Sequence, residues 1–263
     1  MGTNEHIIKA KTKGFNKAKK DIKGVNKSLV GMAKAALTAG AALYGAKKLL
    51  EGMKAAVRLA GEQELSMKKL ETVLKSTKHA AGLTSKELSS MASALQQVTR
   101  FGDEAIMEAQ SLMLTFTKIG KQVMPDAIET VLNMSEAMGT SLKDQVIQVG
   151  KALNDPILGI SALSRVGVQL SEDQKELINS FMEINDVASA QQVILGELET
   201  QFGGMARGAA ETFTGQVDQM HNALGDMGEE IGKHLIPMLT TFANRIKEIA
   251  EMVGAYIEIP MSE

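Results

Sequence analysis

The 263 residues carry 29 Lys and Arg against 31 Asp and Glu, a formal net charge of -2, and no Cys, so disulfide and thiol chemistry are excluded. Hydrophobic residues make up an ordinary 44%, but aromatic residues only 3%, with no Trp. The apolar content is Ala, Leu, Ile, Val and 17 Met, which suit narrow helix–helix seams better than a thick core. Only Pro125, Pro156, Pro237 and Pro260 break a chain otherwise open to long helices, although its 24 Gly each cost a helix interior about 1 kcal/mol. The expected fold class is all-α: elongated, with coiled-coil rods flanking a middle domain of short helices.

Residues 1–61 read as a basic, heptad-bearing rod. Lys9, Lys11, Lys13, Lys17, Lys19, Lys20, Lys23 and Lys27 face only Glu5 and Asp21 there. Such a run suits contact with nucleic acid, an anionic lipid surface or an acidic partner, or simply a solvated helix start. No apolar stretch follows the first charges as a signal peptide requires. Phe15, Ala18, Ile22, Val25, Leu29, Met32, Ala36, Ala39, Leu43, Ala46, Leu50, Met53, Val57 and Ala60 step by threes and fours. That a/d repeat predicts a self-association seam. Ala at many seam positions leaves the strand number unspecified; a homo-oligomer, trimeric or higher, is expected. Residues 35–46 are uncharged but shorter than the roughly 20 residues of a spanning helix.

From 62 to 204 the punctuation predicts a compact multi-helix domain. Thr84 with Glu87, and Ser171 with Gln174, form capping boxes. Asp103, Ser141 with Asp144, and Asp186 are further helix starts. Pro125 suits a first helical turn, while Gly139, the sequence Asn154-Asp155-Pro156 and Gly203-Gly204 suit helix ends. No alternating strand pattern of any length occurs.

Residues 205–263 return to long helix, with a second seam through Phe213, Val217, Met220, Leu224, Met227 and Ile231. Pro237 should kink or interrupt this run near residues 233–236.

Residues that could carry chemistry do not converge along the chain. His6, His79, His221 and His234 form no i, i+4 pair and no metal-type cluster with carboxylates. Glu230 and His234 share a helix face at the spacing of an exposed ion pair. Glu229 and Glu230 sit mid-helix with no apolar pocket expected to raise a pKa. There is no phosphate-cradling or nucleophile-elbow pattern, and nine aromatics offer no base-stacking platform. No catalytic, cofactor-binding or metal residue is assigned, and no enzyme is expected.

Two stretches are more specific. Asn154 to Ile178, NDPILGISALSRVGVQLSEDQKELI, resembles a recurring region of bacteriophage and prophage tail tape measure proteins, the tail length determinators. So does Asn185 to Leu239, where NDVASAQ, LETQFGG, ARGAAETFTGQVDQ and GEEIGKHLIPML follow in the order of that family. The resemblance implies a structural, oligomeric helical protein that scaffolds tail tube assembly, sets tail length and leaves during DNA ejection. It implies a place in the virion tail lumen, and in the host cytoplasm during assembly. The partners it implies are further copies of itself, the tail tube protein, tail assembly chaperones, tail tip or baseplate proteins, and the DNA end or host membrane. The family usually runs much longer, which implies an N-terminal portion, a processed product or a short member. The alternative is a membrane-active, pore-forming helical protein that unpacks residues 31–46 at the host envelope. A cell-wall hydrolase lacks a recognisable catalytic Glu or paired metal-ligand His.

Overall fold

A computed structural model describes residues 42–164 and 167–257. The basic run Lys9 to Lys27, the seam positions Phe15, Ile22, Val25, Leu29 and Met32, and residues 31–41 of the 31–46 segment lie outside the described residues. Among the described residues there are ten helices and no strand. The protein is all-α.

Helix α1 (Ala42–Ser76) is followed by α2 (Ser85–Gln96), α3 (Asp103–Met113), α4 (Met124–Met138), α5 (Leu142–Asn154) and α6 (Ile160–Ser164). Then come α7 (Glu172–Glu183), α8 (Val187–Phe202), α9 (Met205–Ala210) and α10 (Phe213–Ile257). The chain divides into two units at Ala55–Ala56, so α1 begins in the first and continues into the second. In the second unit α1 runs unbroken to Ser76 and buries Ala56, Ala60, Leu70 and Leu74 along one face.

The core is centred on α4, which packs against α3, α5, α8 and α9. It buries Met124, Ala127, Ile128, Val131, Leu132 and Met134 completely. Removing an aliphatic side chain of this size from water is worth about 1.5–3 kcal/mol, so these residues dominate local stability. Several polar groups inside are satisfied by side chains reaching across. The Asn133 Oδ1 accepts from the Ala206 N–H at 3.0 Å, and the Gln191 amide donates to the Lys118 and Leu153 carbonyls at 2.9 and 2.8 Å.

Local start and stop signals act as expected. Thr84 and Glu87 cap each other reciprocally, as do Ser171 and Gln174. Ser141 and Asp186 accept N-terminal amides of α5 and α8. Gly139 closes α4 with φ +64°, a backbone conformation that L side chains rarely adopt. One start differs. Gly102, not Asp103, is the N-cap of α3; Asp103 is its first helical residue and is buried. The capping acceptor comes instead from the preceding helix, where the Gln96 Oε1 accepts the Asp103 N–H at 2.6 Å. This frees the Asp103 carboxylate to face inward.

Candidate functional site

Helix α10 meets the body of the second unit with polar and small side chains. The Gln219 amide donates to the Thr99 carbonyl at 3.1 Å, and the Asn222 amide to the Arg100 carbonyl at 3.2 Å. Arg100 bridges Asp218 of α10 at 2.9 Å and Glu136 of α4 at 3.3 Å. About two to three turns further along, Gly228 and Gly232 let the helix close on α1. A Cβ on Gly232 would run into the Ala56 carbonyl oxygen and stand 2.7 Å from the Ala60 Cβ. Small residues on both sides permit this approach, so glycines that weaken an isolated helix serve its tertiary contact.

The opposite face of α10 is apolar and open. Phe213 is 83% exposed, and Met220, Leu224 and Met227 are each more than half exposed. Amphipathic helices ordinarily turn their apolar stripe inward; here it is the polar stripe that docks.

Between α10 and the α3 N-terminus lies a group of carboxylates. Ligand oxygens of Asp103, Asp226 and Glu229 all lie within 4.8 Å of one another, and the Glu104 carboxylate adjoins them. Asp103 and Glu229 are only 5% and 4% exposed. Gln63 of α1 donates to the Asp103 Oδ2 at 3.2 Å, Ser93 to the same oxygen at 3.5 Å, and Gln96 to the Asp226 Oδ2 at 2.9 Å. The Asp103 Oδ1, the Glu229 Oε1 and the Gln63 Oε1 are buried without a donor. Among the described residues, no Lys, Arg or His lies within ion-pair distance of these four carboxylates.

The electrostatics follow from that placement. Burial, with the Glu104 carboxylate beside it, pushes Glu229 up to about 8. Burial and Glu104 likewise raise Asp103 to about 6, and burial raises Asp226 above its ordinary value. The absence of a pocket around Glu229 expected from the sequence is therefore corrected. Two of the carboxylates that perturb it, Glu104 and Asp103, come from α3, a segment more than a hundred residues away in sequence. Glu230 and His234, by contrast, form the exposed pair that their spacing predicts, at 3.3 Å.

The remaining expected site residues are dispersed. In the first seam Leu50 is exposed, while Met53 and Val57 are half-buried. In the second, Phe213, Met220, Leu224 and Met227 are exposed and Val217 and Ile231 half-buried. Pro237 sits inside α10 without interrupting it. An open cleft of about 450 Å³ holds His221, but the charged Arg100, Glu136 and Asp218 along it are already paired with one another. Among the described residues, no helix is long and apolar enough to cross a membrane.

The described residues thus form a bundle of short helices that carries an outward apolar stripe. The chain belongs to the prophage tail length tape measure protein family, whose model matches residues 12–179. That match takes in the first heptad region and the motif run from Asn154 to Ile178, and ends before the motifs from Asn185 onward. No curated protein and no solved structure matches the chain. It is thus a phage tail protein of a structural family.

Proposed function

We propose that this chain scaffolds tail tube assembly, sets tail length through its extended helical segments and leaves the tail during DNA ejection. The observation that carries the reading is the family match over residues 12–179, which spans the N-terminal heptads as well as the helical domain. In this reading residues 1–61 and 205–263 are rods around the 62–204 domain, and the two heptad seams close against further copies of the chain. The open stripe of Phe213, Met220, Leu224 and Met227 supports such a role, since an unpartnered apolar helix face gains by burial. The tail tube protein, tail assembly chaperones and tip or baseplate proteins are its partners in the tail lumen and, before that, in the host cytoplasm. The lysines from Lys9 to Lys27 meet an anionic partner, DNA end or membrane surface. No step of this role calls for catalysis.

The test is virion tail length by electron microscopy after in-frame deletion of two heptads between Phe15 and Ala60 in the parent phage. At 1.5 Å per residue the tail should shorten by about 20 Å, averaged over many particles. Intact tails of unchanged length would remove this segment from the measured ruler.

A further inference from the structure

We propose that α10 is a releasable arm, fastened to the helical body by carboxyl groups that share protons, so that rising pH frees it. This goes beyond the tape measure role and does not depend on it. The make-up of the interface carries the inference. Between Phe213 and Thr241 the buried residues of α10 are Gly215, Glu229 and Gly232, so the one side chain it buries there is a carboxyl. The buried apolar side chains that fasten α4 at any pH have no counterpart on this stretch of α10. Its grip is polar: Gln219 on the Thr99 carbonyl, Asn222 on the Arg100 carbonyl, Asp218 on the Arg100 guanidinium, and Asp226 on the Gln96 amide.

The buried Glu229 has the Glu104 carboxyl within hydrogen-bond reach, and the buried Asp103 shares that neighbour. Two carboxylates offer only acceptors, so such a contact closes only when one of them carries a proton. The Glu229 Oε1 and the Asp103 Oδ1 find no other donor among the described residues. The groups facing Glu229 are acids or neutral. Asp103 and Glu104 come from α3, and Asp226 from α10 itself. From α1 and α2 come Gln63, Ser93 and Gln96, which donate to Asp103 and Asp226. The nearby charges are engaged elsewhere: Arg58 with Glu62 on α1, and Lys233 and His234 with Glu230 on α10. Lys233 also favours the charged form of Asp226, from beyond ion-pair distance.

Docked, Glu229 keeps its proton up to about 8; released into water, it gives the proton up near its ordinary 4.5. Between those values the docked arm holds a proton that the free arm does not. Its advantage is therefore complete below about 4.5 and is lost as pH rises through about 8. Asp103, raised to about 6 by the same burial, adds to the loss at the acid end of that window. Two of the carboxyls lie on α10 and two on α3, so each proton lost sets charge against charge across the interface. Once free, the stretch holding Gly225, Gly228 and Gly232 is a poor helix in isolation and exchanges its amides.

The experiment is hydrogen–deuterium exchange of the purified full chain near pH 6 and near pH 8, read as protection factors so that the ordinary pH dependence of amide exchange drops out. The α10 amides from Asn222 to Gly232 should lose about tenfold protection or more over that interval, while those of α4 stay level. Glu229→Gln should hold α10 protection constant across the interval and above that of the parent at the higher pH. A merely structural role for Glu229 predicts instead lower protection of the variant at both values. Glu104→Gln should act in the same direction, because its amide donates to Glu229 without needing a proton, and it decides the matter if Glu229→Gln misfolds. Histidines titrate in this range as well, so replacing His221 and His234 together by Gln should leave the parent's fall intact. Unchanged protection between the two pH values, a fall that survives both carboxyl variants, or one that vanishes with the histidines would overturn the proposal.

Discussion

Gly225, Gly228 and Gly232 place one substitution in three surroundings along a single helix, and the response to alanine should change sign between them. Gly→Ala in a helix interior gains about 0.8–1 kcal/mol from backbone entropy and propensity alone. At Gly225 an added Cβ meets nothing within 4 Å, so Gly225→Ala should stabilise by nearly that amount, about 1 kcal/mol. At Gly228 the Cβ comes within 2.6 Å of the Leu59 Cδ1, the far end of a flexible side chain. Moving it off its rotamer costs about 0.5–1.5 kcal/mol, which roughly cancels the gain. At Gly232 the obstacles are the Ala56 carbonyl and, at 2.7 Å, the Ala60 Cβ, neither of which can swing aside. The two helices must separate locally, an overpacking cost of about 1–3 kcal/mol, leaving a net loss of up to about 2 kcal/mol. For a unit of this size each kcal/mol corresponds to about 2–4 °C in Tm. Thermal and urea unfolding followed by circular dichroism would resolve the order Gly225→Ala, parent, Gly232→Ala. Equal stabilisation by the Gly225 and Gly232 variants would refute the close crossing of α1 and α10.

Two further outcomes follow from other parts of the molecule. The Lys121 ammonium at 2.7 Å, with the Thr84 backbone N–H and hydroxyl behind it, holds the Glu87 carboxyl down at about 2 from an ordinary 4.5. Its contribution to stability is therefore fully present above the ordinary carboxylate range and is lost as pH falls through about 2. Carboxyl NMR titration should place its midpoint there, and Lys121→Met should move it upward; an unmoved midpoint would reject the contact. Replacing Leu224 and Met227 together by Gln should change monomer stability by less than about 1 kcal/mol, because both are more than half exposed. The same pair of changes should abolish self-association in analytical ultracentrifugation. A parent chain that stays monomeric at high concentration, or variants that associate as it does, would discard α10 as a seam.

Helix content and helix ends were largely legible because their determinants lie within one turn of each other. Thr84 and Glu87 are three residues apart, as are Ser171 and Gln174, and each pair satisfies its own orphan amides whatever packs nearby. Gly139 and Pro125 act on their own backbone dihedrals. Asp103 was misplaced as a cap for the converse reason. Its amide is satisfied by Gln96, a side chain at the end of another helix, and no local rule could supply that partner.

The heptads were equally plain in the sequence, but a stripe of Met and Leu names an apolar face without saying what covers it. In α10 the polar line of Gln219, Asn222 and Glu229 docks and the apolar line stays open, an inversion that depends on the complementary carbonyls of Thr99 and Arg100. The carboxylate group shows the same limit more sharply. Gln96 and Asp226 hydrogen-bond across 130 positions of sequence, and spacing along the chain carries no trace of that meeting.

The sequence by itself therefore determined an all-helical tape measure family member, its helix ends and its apolar stripes, because those depend on periodicity, short-range capping and recurring motifs. Only the tertiary structure decided which stripe faces inward, that Gly228 and Gly232 serve a crossing, and that Glu229 is buried beside Asp103 and Asp226. Desolvation and close approach arise between segments distant in sequence, so they come into being only when those segments pack.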